Sequence, residues 1–100
     1  MQISLACVKD ILISINKSNN LHNLFNLEYQ IEELNFNIDK LTYSQLVEIT
    51  DHFVTLTNGG KILLSILTDD YKYKRLNKRL SEFRSMSMAL ILAEAQRLNH

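Results

Sequence analysis

The chain contains no proline, and its two glycines stand side by side at Gly59-Gly60. The two residues that most disfavour helix are therefore almost absent. Nearly every stretch is free to be helical, and the expected fold is all-α, a small orthogonal domain of about five helices. One hundred residues correspond to a single domain, residues 1–100. An apolar content of 46% is ordinary for a globular protein and too high for disorder.

Apolar spacing places the helices. Ile3, Cys7, Val8, Ile11, Leu12 and Ile15 recur at helical intervals and predict an amphipathic helix over 2–16. The run Asn16-Lys17-Ser18-Asn19-Asn20 ends it, because Asn and Ser compete for backbone hydrogen bonds. Leu21, Leu24, Phe25 and Leu27 form one or two helical turns, and Ile31, Leu34 and Ile38 mark a second helix over 28–38. Thr42-Tyr43-Ser44-Gln45 has the form of a capping box, and Leu41 and Leu46 the spacing of a hydrophobic staple. A third helix is expected to start there and to end near His52–Asn58, ahead of the glycines; a strand at Val54-Thr55-Leu56-Thr57 is the less favoured reading. Lys61 to Leu67 is a buried helix or a strand, which periodicity does not decide. Thr68-Asp69-Asp70 supplies an N-cap and first-turn acids for the next helix.

That next helix carries Tyr71-Lys72-Tyr73-Lys74-Arg75-Leu76-Asn77-Lys78-Arg79-Leu80, with five cations and no acid. Residues 1–70 hold four Lys against nine Asp and Glu, a net of −5; residues 71–100 hold seven Lys and Arg against two Glu, a net of +5. A formally neutral chain is thus electrically polarised, and a local basic face attracts an anion whatever the total charge. In helical projection Tyr73, Leu76, Leu80 and Phe83 fall within about 80° of one another and anchor the helix to a core. Lys72, Lys74, Arg75, Lys78 and Arg79 spread over the other half as candidate phosphate contacts, with Tyr71 and Tyr73 able to hydrogen-bond phosphate or pack on sugar. The competing reading is a solvated helix face paired with Asp69, Asp70 or Glu82.

The last stretch, Ser85 to Asn99, is apolar right round its helix. Such a helix needs cover on most sides, which a small chain supplies poorly. A second copy is expected to help, through Met86, Leu90, Ile91, Leu92 and Leu98 together with parts of the first helix.

The sequence carries no catalytic or metal-binding pattern. There is no Gly-rich phosphate loop, no His-x-x-x-His pair and no Ser in a Gly-flanked turn. His22, His52 and His100 are scattered, and Glu28, Glu32 and Glu33 read as a solvated acidic face. Cys7 on an apolar stripe reads as a buried inert thiol, and a lone cysteine makes no intrachain disulfide. No enzyme, resident metal or cofactor is expected. No apolar run approaches the roughly 18 residues that span a bilayer. The N-terminus does not look like a signal peptide, and the single cysteine fits a reducing compartment, so a cytoplasmic, non-membrane protein is expected.

The order of features resembles the FlhD family, the small helical subunits of a bacterial flagellar master activator. The resemblance rests on Leu24-Phe25-Asn26-Leu27, Ile31-Glu32-Glu33-Leu34, and Leu41-Thr42-x-x-Gln45-Leu46-Val47-x-Ile49, and returns in Ala89-Leu90-Ile91-Leu92 through Leu98-Asn99. It covers roughly residues 21–56 and 83–99. The chain is shorter than flagellar members, chiefly before Leu41, and more basic over Lys72–Arg79, and is in this closer to the SetD and AcaD type of conjugative elements. The resemblance implies an intertwined homodimer. It also implies a larger, zinc-binding, FlhC-like partner, and a complex that binds promoter DNA and recruits RNA polymerase at flagellar or conjugative-transfer operons. Any zinc would belong to the partner. The expected function is thus a DNA-binding transcriptional activator subunit. The alternative is a small dimeric protein-interaction module, a secretion chaperone or antitoxin-like inhibitor, without DNA binding.

Overall fold

The computed structural model describes residues 2–98. Asn99 and His100, the last residues of the family-like segment and the scattered histidines, lie outside that range. The elements run α1 (Leu5–Lys17), a 3-10 helix (Leu21–Asn26), α2 (Ile31–Tyr43), β1 (Val47–Thr50), β2 (Phe53–Leu56), α3 (Asn58–Leu67), α4 (Asp70–Leu80) and α5 (Met88–Leu98). The fold is mostly helical, with a two-stranded antiparallel sheet that the all-α expectation lacked. Its radius of gyration, 12.8 Å, is that of a folded chain of this length.

α1 lies at the centre and packs on α2, the 3-10 helix, β2 and α3. Its start is fixed twice. The Ser4 hydroxyl accepts the Cys7 N–H at 3.2 Å, and the Ser4 N–H donates to Asn37 Oδ1 at 3.1 Å. Asn37 is fully buried on α2 and also donates to the Glu33 carbonyl at 2.8 Å, so this polar side chain in the core is satisfied. The predicted stripe Ile3, Cys7, Val8, Ile11, Leu12 and Ile15 is buried as expected. Leu34, Ile38 and Leu41 face it from α2.

The expected helix start at Thr42 is a helix stop. α2 runs on to Tyr43, and the Thr42 hydroxyl donates back to the Ile38 carbonyl at 2.9 Å. Gln45 has a φ of 61°. Its N–H donates to the Thr42 carbonyl at 3.0 Å, and the Leu46 N–H to the Leu41 carbonyl at 2.9 Å. Two bonds of that pattern, with buried Leu41 and Leu46 three and two places either side of the cap, make a Schellman termination. The residues that resemble a capping box and staple thus do the opposite job.

The chain then turns into a hairpin instead of a third helix. Val47 pairs with Leu56, Glu48 with Thr55, Ile49 with Val54, and Thr50 with Phe53 across the two-residue connection Asp51-His52. Asp51 has a φ of 55°, as tight hairpin connections demand. Val47 and Val54 are buried on the inner face, while Glu48, Thr50, Phe53 and Thr55 are exposed on the outer one. The outer edge of β2 is sealed by Asn19, whose carbonyl accepts the Val54 N–H at 2.9 Å and whose Nδ2 donates to the Val54 carbonyl at 3.0 Å. The same closure stacks His22 on His52, ring centroids 5.5 Å apart.

The glycine pair opens α3 rather than ending its predecessor. Thr57 caps α3: its hydroxyl accepts the Gly60 N–H at 3.1 Å and donates to the Gln45 carbonyl at 2.7 Å. Gly60 lies so close to the Leu46 carbonyl that a Cβ there would collide with its oxygen. Lys61 to Leu67, undecided by periodicity, is helical, with Leu63, Ile66 and Leu67 buried.

Candidate nucleic-acid interface

α4 forms where its sequence says it should. The Asp69 carboxylate accepts the Lys72 N–H at 3.0 Å, Asp70 lies in the first turn, and Lys78 and Arg79 lie in the last turn, where the helix dipole favours cations. Leu76 and Leu80 are buried, and Tyr73 packs half-buried against the core with the Lys9 ammonium 4.4 Å from its ring centre. The fourth expected anchor departs from this face. α4 stops at Leu80, so Phe83 falls beyond it in a turn and is 41% exposed.

The cations separate into three environments. Lys74, Arg75 and Lys78 point outward, exposed, and make no ion pair among the described residues. Arg75 Nη1 donates to the Tyr71 hydroxyl at 2.8 Å, and its guanidinium lies 5.5 Å from that ring centre, so Tyr71 and Arg75 stand together on this face. Lys72 is half-buried at its margin. Arg79 is engaged within the chain: Nε bonds Glu94 Oε2 at 3.2 Å and Nη1 bonds Glu82 Oε2 at 3.3 Å. The Glu94 side chain is 7% exposed on α5 and also has Arg97 Nη1 at 3.9 Å from its other oxygen.

Sequence reasoning missed Glu94, Arg97 and Lys9 as neighbours of the basic helix. Glu94 had a signal: it is the sole charged residue in the otherwise apolar run from Met88 to Ala95. A carboxylate at such a position is held there by a cationic partner.

The expected self-association residues do not form one patch. Ile91 is fully buried inside its own chain and leaves the set. Met86, Leu90, Leu92 and Leu98 are half-buried. Leu98 lies on the α4 side, in a cleft of about 580 Å³ with Tyr71, Arg75, Lys78, Arg79 and Arg97. Leu92 opens on the other side, into an apolar groove of about 510 Å³ whose lining includes buried Leu46, Leu63 and Ile66, exposed Gly59, Ala89 and Ala93, and Ile62, which is 53% exposed. Among the described residues no charged side chain lines that groove.

Among the described residues no cluster of three or more His, Cys, Asp or Glu could hold a metal, and no helix is long and apolar enough to cross a membrane. No protein family, curated protein or solved structure matches the chain.

Proposed function

We propose that the chain binds nucleic-acid backbone through the outward face of α4. It works as a DNA-binding subunit of a transcriptional activator, without catalytic activity. One observation carries the reading: Lys74, Arg75 and Lys78 are exposed and, among the described residues, without an ion pair, on a helix whose opposite side is committed to the core. Cations so arranged position a protein on phosphates without reading bases. The finer part of the reading rests on the FlhD-like residues alone. It has the chain acting in the cytoplasm with a larger, zinc-binding, FlhC-like subunit that supplies base recognition and, with it, recruits RNA polymerase to flagellar or conjugative-transfer promoters. A second copy joins at the α3–α5 groove. Its lining, uncharged among the described residues, brings no like charges together, and exposed Ile62 shares it with the small residues Gly59, Ala89 and Ala93, which leave room for the Ile62 of another copy.

Fluorescence anisotropy with labelled duplex DNA, with and without the co-purified partner, tests the central claim. Three phosphate contacts give a log–log salt slope of about −2.7, so affinity falls roughly forty-fold from 50 to 200 mM salt. Lys74→Glu/Arg75→Glu/Lys78→Glu is expected to abolish the salt-dependent binding. Unchanged affinity and slope would remove the assignment.

The apolar groove also favours a second reading, a protein-interaction module of the chaperone or antitoxin-inhibitor kind, with a foreign helix in place of the second copy. Co-purification of an effector or toxin, with no DNA binding in the same preparation, would establish it in place of the first.

A further inference from the structure

The cations that face the cleft between α4 and α5 differ in how free they are. Arg79 has two of its nitrogens on carboxylates, Glu94 at 3.2 Å and Glu82 at 3.3 Å. A phosphate would have to displace one of these to gain a two-pronged contact with Arg79. Arg97, from α5, reaches Glu94 only at 3.9 Å and is 70% exposed. It lines the same cleft as Arg75, Lys78 and Tyr71, whose hydroxyl already orients Arg75. Four cations from two helices, Arg75, Lys78, Arg79 and Arg97, therefore border one concavity together with Glu82 and Glu94, the two carboxylates that Arg79 engages, so the other three cations are left to face an anion.

We infer that Arg97, and not Arg79, completes the anion-binding face: a backbone phosphate of nucleic acid seats in the α4–α5 cleft between Arg75, Lys78 and Arg97. Arg79 instead holds α5 against α4 through Glu94. Forked guanidinium donors match the oxygens of a phosphodiester, the anion that the outward face of α4 is read to meet. The inference rests on the reading that α4 binds nucleic acid, and adds to it a contact on a second helix.

The full chain is titrated with a labelled duplex of about 20 bp at several salt concentrations, in four forms: unchanged, Arg97→Ala, Arg79→Gln, and Lys74→Glu/Arg75→Glu/Lys78→Glu. Arg97→Ala should weaken binding and make the salt slope shallower by about 0.9, with an unchanged melting curve. Arg79→Gln should lower the melting temperature and leave the slope as it was. If Arg79→Gln does not fold, Arg97→Glu against Arg97→Lys decides the same point, loss in the first and retention in the second. A normal slope in Arg97→Ala, with binding abolished in the triple variant, overturns the inference and spares the α4 reading. Equal slopes in all four forms overturn both. Capture by phosphatidylserine-containing vesicles with no binding to duplex would assign the cleft to a membrane surface and overturn it as well.

Discussion

Gln45 occupies backbone that glycine adopts more readily. Its positive φ is imposed by the Schellman bonds, and a side chain there works against the termination it belongs to. Gln45→Gly relieves about 1–2 kcal/mol of left-handed strain and returns part of it as unfolded-chain entropy, so a net gain of up to about 1 kcal/mol is expected, read as a raised melting temperature by circular dichroism. Cys7 presents the opposite situation, a group whose surroundings suit it in one charge state only. It is fully buried, and burial, with Glu33 and Asp10 adding to it, pushes its thiol up from 9.0 to about 11. The folded chain keeps this proton at pH values where the unfolded chain has released it. The stabilisation is whole below pH 9 and fades as pH climbs toward 11. Tyr29, which donates to Asp10 at 2.6 Å, is also raised, by burial first, and adds to the loss above pH 10. Urea midpoints taken between pH 8 and pH 11 should fall, and Cys7→Ala should flatten the fall. A thiol reagent should label Cys7 only when the chain is unfolded.

At the level of elements, the parts that read correctly from sequence carry their instructions within themselves. α1 combines an apolar stripe with a cap and a terminator, Ser4 and Ser18, and α4 combines one with its Asp69 cap, whereas its stop at Ser81, short of Phe83, carries no such signal. The hairpin carries no such self-contained signal. Leu41-Thr42-x-x-Gln45-Leu46 satisfies the pattern of a helix start and of a helix stop alike, and the residues after Leu46 decide between them. That segment is rich in β-branched residues, packs on α1, and has its outer edge held by Asn19, more than thirty residues away in sequence. These are tertiary facts, and local propensity yields to them. The glycine pair is equally opaque. Its role depends on the Leu46 carbonyl coming within van der Waals distance of Gly60. Gly60→Ala is therefore expected to destabilise by about 1–3 kcal/mol, as overpacking does, seen as a lowered denaturation midpoint. No loss in that variant would mean that α3 and the hairpin do not meet so closely.

Over the whole molecule, the partition of charge into an acidic first seventy residues and a basic last thirty is plain in the sequence, as is the outward face of α4. The assignment of each cation is not, since Arg79 and Lys74 look alike until Glu82 and Glu94 are placed. The excess apolar surface of α5 is also legible, but not its direction: Ile91 turns inward, and the remaining exposure divides between a charged cleft and an uncharged groove. If a second copy covers the groove, Ile62→Glu should give a monomer by light scattering at micromolar concentration, with its circular dichroism spectrum unchanged. A variant that keeps the mass of the unaltered chain would place the contact elsewhere. The buried Glu94 has one more consequence. Charges in the open lose their grip on one another as ionic strength rises, whereas a pair with one member shielded from solvent loses far less. A salt titration should then release nucleic acid while α4 and α5 stay joined, so the surface is unloaded without being dismantled and is ready at once for the next encounter.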